Sequence, residues 1–536
     1  MGTSARRKNR LVVAAGVLAV GVGLSACTGA PAEPAATGPS AVTFPIPSQD
    51  VVALAPDAIE KAIEELPAIV ERALEATGVP GAAVAVVQGD ELVYSGGFGV
   101  KEIGSDDPID AETVFQIASL SKPVGATVIA AQMGDGEITW DTRVIDLMPD
   151  FALADPWVTE HLTIGDLYAH RSGLSRAAGD DLEDIGYDRA EVLARLDLQP
   201  LNPFRTSYGY ANFGITAGAE AVAEGVGVDW ETLSERSLYE PLGMDSTSSR
   251  YEDYLAAENR ATIHAIVDGK FQPLYARDAD PQSPAGGVSS TVLDLAKWMS
   301  LLLAEGSSGG EEIVDAAALQ SAMTAQIISG HAVVPDMRVA QYGYGFGAGV
   351  GPTGRVTASH SGAFTLGTAT NFQVVPELDL GIVVLTNGGP VGVPEAITAE
   401  FLSFVQFGEA TRDWLGDYAG AMAGYYQPAG DLADEQRPSG ATDATDLQRL
   451  VGDYANDYFG TAAVTLEGEQ LIVRLGPDLG YELPLQPWDG DVFAFVPTGE
   501  NGPDGSLSSA TFAEVDGAMT LRLEFFDAHG LGTFIR

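Results

Sequence analysis

Ser119 and Lys122 are the first residues in this chain whose types and spacing suit chemistry together. They stand three apart in FQIASLSKPVGATVIAA, residues 115–131. Residues three apart share one face of a helix. Pro123 sets where that helix starts, because proline lacks an N–H and is tolerated only in the first turn, where donors are unpaired. The helix therefore begins at or just before Ser119, and the positive potential of its N-terminus falls on this pair. A serine hydroxyl is a weak nucleophile until a base takes its proton. A lysine desolvated in a cleft has a lowered pKa and serves as that base. The spacing alone also describes any surface Ser and Lys that share a turn. Two details favour chemistry: the chain has only six lysines, and only Lys122 follows a serine at this distance. The helix is also apolar, so a lysine inside it needs a reason.

Two later stretches carry partners for this pair. Tyr210 and Asn212 lie two apart in PFRTSYGYANF, an irregular aromatic loop followed by an apolar helix from Gly214. A tyrosine beside a lysine is a second proton carrier if that charge lowers its pKa. An asparagine two residues on holds a substrate amide or orients the lysine. The same trio recurs at Tyr454-Ala455-Asn456, in a different kind of region, and there reads as structural. In ASHSGA, residues 358–363, the small residues let a substrate backbone lie against a strand. His360 and Ser361 offer hydrogen bonds to a substrate carboxylate or carbonyl. The N–H of Ala363, with that of Ser119, could form an oxyanion hole; the same stretch also reads as a plain core strand with a solvent-facing histidine. His360 is expected to be partly charged near neutral pH. His161 and His170 read as structural, and Asp294 with Lys297 as a solvated helix face. The GSSGG run at 306–310 formally matches a nucleophile elbow, but a helix precedes it where that motif needs a strand.

These residues need a scaffold, and 536 residues suffice for two folded domains with linkers. The formal charge of −47, from 75 acidic and 28 basic residues, repels phosphates and argues against nucleic-acid binding. No zinc or calcium ligand spacing is present. Arg6, Arg7, Lys8 and Arg10 form a basic head before a short apolar run at 11–24, which suits a signal peptide and is too short to span a membrane. The run ends in Leu24-Ser25-Ala26-Cys27, similar to a bacterial lipoprotein signal in which the cysteine is lipidated. Cys27 is the only cysteine, so no intrachain disulfide forms. The expected organisation is a signal peptide at 1–26, a flexible Ala-, Pro- and Ser-rich tether at 27–56, and a first folded domain at 57–415. A linker at 416–446 and a barrel domain at 447–536 follow.

Within the first folded domain, Asp57 opens an amphipathic helix that Gly78 closes. A hairpin follows, with strands at 81–87 and 91–94 around Gly89-Asp90. Further strands fall at 370–375 and 380–386. This order indicates an α+β domain, not alternating βα units. A helix over 413–426 overlaps the start of the linker. Beyond it, seven short strands separated by turns indicate an antiparallel β-barrel.

Ser119-Leu120-Ser121-Lys122, Tyr210-Ala211-Asn212 and His360-Ser361-Gly362, in that order, resemble the serine β-lactamase and penicillin-binding-protein superfamily, in particular its class C β-lactamase and DD-peptidase-like branch. The stretches at 162–174, 241–245 and 285–296 resemble that branch as well. The resemblance implies an antiparallel sheet flanked by helices, with a helical subdomain, and a lipocalin-like C-terminal barrel. It implies that Ser119 is the acylated nucleophile, that Lys122 and Tyr210 share general-base and general-acid duty, and that Asn212 contacts substrate and lysine. His360 departs from the lysine of true class C β-lactamases and is similar to the histidine of some DD-peptidases, D-aminopeptidases and related esterases. The implied activity is two-step acyl transfer on amide or ester bonds of small substrates, such as D-amino acid peptides or cell-wall fragments, with no metal or organic cofactor. The readings kept beside it are a carboxylesterase and a catalytically idle envelope protein that binds peptidoglycan or a partner. The partners implied are a small-molecule or short-peptide substrate and, through Cys27, a membrane of the bacterial cell envelope.

Overall fold

The computed structural model describes residues 51–536 except 135, 335 and 336. Cys27, the expected signal peptide and most of the tether lie outside the described residues. Helix α1 (Ala58–Thr77) leads into the hairpin β1 (Gly81–Gln88) and β2 (Glu91–Gly99). The second strand runs further than the sequence pattern suggested, because its glycines pack close to neighbouring backbone without breaking the ladder. Helix α2 (Ser121–Ala131) carries Lys122, and α3 (Asn212–Val226) follows the Tyr210 loop. Helix α4 (Val292–Leu303) precedes six strands: β3 (Ile327–Gly330), β4 (Ala340–Tyr342), β5 (Gly347–Val350), β6 (Val356–Phe364), β7 (Thr368–Val375) and β8 (Leu380–Thr386). Helix α5 (Val393–Phe407) closes the domain.

The eight strands form one sheet in the order β2-β1-β8-β7-β6-β5-β4-β3, antiparallel throughout. Strands β1 and β8 are buried along almost their whole length. Their runs of Val, Ile and Leu are continuous because helices cover both faces. Helices α1 and α5 cover one face. On the other, α4 inserts Trp298, which packs on Phe372 of β7 and donates through Nε1 to Thr127 of α2 at 3.0 Å. Helix α2 is buried on every side from Ser121 to Ala130, as expected for a central helix that is apolar all round. Of the expected solvated pair, Lys297 is exposed but Asp294 is not. Asp294 is buried and accepts from the N–H of Ser246, the hydroxyl of Thr247 and Lys297, so it anchors the preceding loop.

Helix α6 (Trp414–Met422) is followed, after an irregular stretch, by nine strands: β9 (Gly452–Asn456), β10 (Gly460–Glu467), β11 (Gln470–Leu475), β12 (Tyr481–Pro484), β13 (Gln486–Asp489), β14 (Val492–Phe495), β15 (Ser508–Val515), β16 (Ala518–Leu523) and β17 (Thr533–Ile535). The sequence pattern had shown seven. Each strand pairs with its neighbour in sequence except β12 with β13, and the last pairs with the first at Ala455 and Ile535. The two ends of the sheet, β12 and β13, are consecutive and separated only by Leu485, so the sheet is a nearly closed barrel. Closure removes edges that would otherwise recruit other strands. Tyr454 donates to the carbonyl of Leu450, and Asn456 donates to the carbonyls of Leu531 and Thr533, so the second Tyr-Ala-Asn trio is structural.

The barrel and the hydrolase share one continuous apolar core. Tyr187 donates to the carbonyl of Phe459 at 3.0 Å, and Tyr458 donates to Asp181 at 2.7 Å. Losing a donor to a buried carboxylate costs on the order of 1–3 kcal/mol. Tyr458→Phe is therefore expected to lower the free energy of unfolding in urea by about 1–2 kcal/mol, within a single transition of both regions. A barrel transition that separates from the hydrolase and ignores this substitution would show that the contact carries no stability.

Candidate functional site

The chain turns sharply just before the serine. Ala118 has φ of 48° in a three-residue 3-10 turn, Ala118–Leu120, that runs into α2. A buried alanine in the left-handed region costs on the order of 1–2 kcal/mol, and strain of this kind persists where the surroundings dictate it. The result is that Ser119 is the one residue between 113 and 130 that is not buried. It opens into a cleft of about 1070 Å³.

Lys122, fully buried, donates to Ser119 Oγ at 3.0 Å, to Asn212 Oδ1 at 2.7 Å and to the carbonyl of Ala285 at 2.8 Å. Burial lowers its pKa to about 7, and the negative charge of Asp180 resists that shift. The sequence expectation of a desolvated lysine beside a serine is thus a geometric fact, and its neutral form is populated at neutral pH. Two of its three partners are carbonyl oxygens, which only accept. When the amine is neutral, its two N–H bonds serve those carbonyls and its lone pair faces Ser119.

Asn212 begins α3, two residues earlier than the apolar pattern suggested, since its own carbonyl already joins the helix through Thr216. Its Nδ2 donates to Asp180 Oδ2 at 3.1 Å, which fixes the amide so that the carbonyl faces Lys122. Asp180 has its pKa raised to about 8, first by burial and then by Glu183 and Asp184. Local sequence offers no sign of this residue's role, because an acidic DDLED run reads as a solvated helix end.

Tyr210 donates to Ser119 Oγ at 2.9 Å, and its ring centroid lies 4.6 Å from Lys122 Nζ. The expected lowering of its pKa is corrected. Burial pushes the phenol above the usual tyrosine range, and the only lowering contribution is the hydrogen bond to Ser119. Tyr210 is therefore a hydrogen-bond donor at neutral pH. His170, read as structural, packs its ring 4.5 Å from that of Tyr210, and its Nδ1 accepts from the N–H of Ala211 at 3.2 Å. It positions the loop. Asp166 binds both Arg171 and Arg205 and ties down the segment before it. His161 sits on the surface, its Nδ1 on the carbonyl of Trp157.

His360 is corrected as well. Burial and the charge of Lys122 lower its pKa to about 3, so the ring is neutral. Its Nδ1 lies 2.6 Å from the carbonyl of Ser361, and a carbonyl only accepts, so Nδ1 carries the proton. Nε2 then accepts from Tyr342, 2.8 Å away. Both ring nitrogens are already paired, and Tyr342 was not visible as a site residue in the sequence. Ser361 faces the other side of β6, where Asn371 donates to its hydroxyl at 3.0 Å. Pairing of β6 with β5 stops at Ser359, so the edge from His360 onward faces the cleft. Gly362 lies so close to the 3-10 turn that an added Cβ would meet the carbonyl of Ile117 at 2.4 Å and the N–H nitrogen of Ser119 at 2.8 Å. This contact sets β6, with Ala363, against the amide of Ser119. Among the described residues, no group of three or more His, Cys, Asp or Glu is arranged to hold a metal ion.

An antiparallel sheet with a serine at the start of a buried helix beside its exposed edge is the β-lactamase/transpeptidase-like fold. Residues 61–404 match the Beta-lactamase family, and the chain belongs to it. Residues 436–529 match a family described as a domain of unknown function, DUF3471. The chain is 29% identical to penicillin-binding protein 4 of Amycolatopsis lactamdurans, over 64% of this chain and 86% of that protein. It is 27% identical to the unguisins hydrolase ungD' of Aspergillus campestris, over 44% of this chain and 46% of that protein, so it spans about half the length of that relative. It is 26% identical to esterase EstB of Burkholderia gladioli, over 43% of this chain and 61% of that protein. The octameric penicillin-binding protein homologue from Pyrococcus abyssi shares the fold, with a TM-score of 0.55 over 88% of this chain and 100% of that one, at 20% identity.

The amine of Lys122 is expected to titrate near pH 7. Carbon-detected NMR of protein labelled at the lysine side chains reads this directly, with Lys122→Met assigning the signal. A midpoint near 10 would mean that burial does not discharge this group.

Proposed function

We propose that this protein is a serine hydrolase in which Ser119 attacks a carbonyl and Lys122 takes its proton. The observation that carries this reading is the set of three partners around Lys122. Asn212 Oδ1 and the Ala285 carbonyl hold two N–H bonds, so the remaining position faces Ser119 Oγ. The hydroxyl proton passes to Nζ as Oγ bonds to carbon, and the carbonyl oxygen becomes an oxyanion. The N–H groups of Ser119 and Ala363 receive that oxyanion. As the intermediate collapses, the Tyr210 hydroxyl gives a proton to the departing amine or alcohol and regains one from Lys122. Water then attacks the acyl group by the same route in reverse.

The substrates we favour are small amides or esters, such as D-amino acid peptides or cell-wall fragments, within the class C and DD-peptidase-like branch. Neutral His360 leaves its strand position without the fixed charge that would hold an antibiotic carboxylate, which disfavours efficient β-lactam hydrolysis. The same neutrality favours the second reading, a carboxylesterase acting on uncharged esters. An idle binding protein has no use for a strained turn that exposes one serine to a discharged lysine. We further propose export and anchoring to the cell envelope through lipidated Cys27, with the barrel limiting substrate size.

Intact mass of the full chain, mixed with a penicillin and separately with an alkyl fluorophosphonate, tests the nucleophile. A covalent adduct is expected on the parent and not on Ser119→Ala. An adduct of equal yield on both would remove Ser119 from this role. On any substrate turned over, kcat/KM is expected to rise with pH through about 7, as Lys122 loses its proton. Lys122→Met is expected to lower kcat by about 10³-fold and to abolish that limb of the pH profile. A profile flat between pH 6 and 8 would rule out Lys122 as the base.

A further inference from the structure

At the end opposite Gly345, the eight-stranded sheet gathers the β3–β4 connection, the β5–β6 turn at 351–355 and the first described residues of the chain. Hydrogen bonds to the backbone draw these together. Val52 donates through its N–H to the carbonyl of Thr353 at 3.4 Å, and Arg355 donates to the carbonyl of Val52 at 2.7 Å. Arg338 reaches across to the carbonyls of Val350 and Gly351.

This end is apolar and open to solvent. Val333, Val334, Met337 and Val339 stand out on the β3–β4 connection, and Val333 is 83% exposed. Val350 and Val356 oppose each other across β5 and β6 and are exposed as well. With Val52 these make seven of the 21 exposed large apolar side chains among the described residues, so a third of them lie at one end of one sheet. Exposed apolar side chains scattered singly need no explanation, but a cluster marks an interaction site.

Charge and the course of the chain decide what this face meets. The whole chain carries −47, yet residues 331–339 hold one aspartate against one arginine, with His331 beside them. Glu377, on the neighbouring β7–β8 turn, is paired with Arg355 at 3.4 Å. An anionic surface therefore repels this end less than it repels the rest of the chain. Residues 28–50 join Cys27 to the point where Val52 is bound to the β5–β6 turn. A chain of that length extends at most about 80 Å and as a random coil averages about 25 Å. Lipid on Cys27 would thus draw this end of the sheet towards a bilayer before any other face. Projecting valines and a methionine on a narrow connection also suit insertion at the boundary of headgroups and acyl chains.

We propose that Val333, Val334 and Met337 insert into the lipid bilayer and hold this end of the sheet on the membrane surface. Val339 and Val350 also line the cleft of Ser119, so the cleft opens beside the headgroups and takes its substrates from the membrane surface. This rests on the proposed anchor at Cys27 for its choice of partner and is independent of the chemistry at Ser119.

Fluorescence quenching tests the insertion. Cys27 is the only cysteine, so the full-length Cys27→Ser protein takes a single fluorescent thiol label at Val333→Cys. It is mixed with vesicles of phosphatidylethanolamine and phosphatidylglycerol in equal parts, with acyl chains either plain or brominated. The apolar run at 11–24 can hold this protein at the vesicle in place of lipid, so the readout is the depth of the label and not binding. Brominated chains are expected to quench the label at least twofold, and Val334→Asp added to that protein is expected to abolish most of the quenching. The same label at Val226→Cys, on the exposed end of α3, is expected to be unaffected by bromine. A label at Met337→Cys gives a second reading if the first variant fails to fold. Equal emission in the two kinds of vesicle at both positions, or quenching as strong at Val226→Cys, would overturn the proposal. So would a dimer in sedimentation that Val334→Asp dissolves, with no quenching, since this face would then join two copies of the chain. Lipid found by mass on Cys27 of membrane-extracted protein, without quenching, would refute this proposal alone. Quenching without such lipid would refute the anchor alone.

Discussion

The structure depends on keeping the Lys122 amine out of water while giving it three acceptors. Desolvation brings its pKa to about 7 and so makes a base of a group that would otherwise be fully charged. The same burial accounts for much around it. Tyr210 keeps its proton because desolvation disfavours its phenolate. Asn212 is oriented by a carboxyl that is itself raised, so the buried Lys122–Asn212–Asp180 chain is close to electrically neutral. A fully ionised chain in the same place would carry a larger desolvation cost.

The scaffold supports this by rigidity on one side and openness on the other. Helix α2 is enclosed by Trp298, the sheet and α3, so Ser119 and Lys122 cannot drift apart. Gly345, at φ of 78°, brings the chain between β4 and β5 against the carbonyl of Lys122 and the methyl of Ala126. Gly362 does the same from β6. Facing them, β6 keeps one edge free of strand pairing, which an extended substrate can use. The strain at Ala118 belongs to this arrangement, since a relaxed helix start would turn Ser119 into the core. The barrel shares the hydrolase core and reaches the far end of β6 with Glu500, so it forms part of the cleft wall.

The sequence was informative where chemistry and geometry are local. Pro123 fixed the start of the helix, and the i, i+3 spacing placed Ser119 and Lys122 together. The alternation of short strands and turns identified the barrel, and continuous apolar runs identified the central strands. Three features were not legible. The charge states of Tyr210 and His360 depend on burial, which no single stretch encodes. Asp180 and Tyr342 act through partners distant in sequence, Asn212 and His360. Asp294 looked solvated because the loop that covers it lies about fifty residues earlier in the chain.

By itself, the sequence determined which residues are capable of nucleophilic chemistry, the order of their motifs and the two kinds of secondary-structure pattern that carry them. Those follow from bond geometry and side-chain type over a few residues. Only the tertiary structure decided that the Lys122 pKa falls to about 7, that Tyr210 and His360 are neutral, and that Glu500 of the barrel joins the cleft wall. The reason is that electrostatic free energy depends on the dielectric and on charges brought together in space, and these arise only when distant segments exclude water from one another.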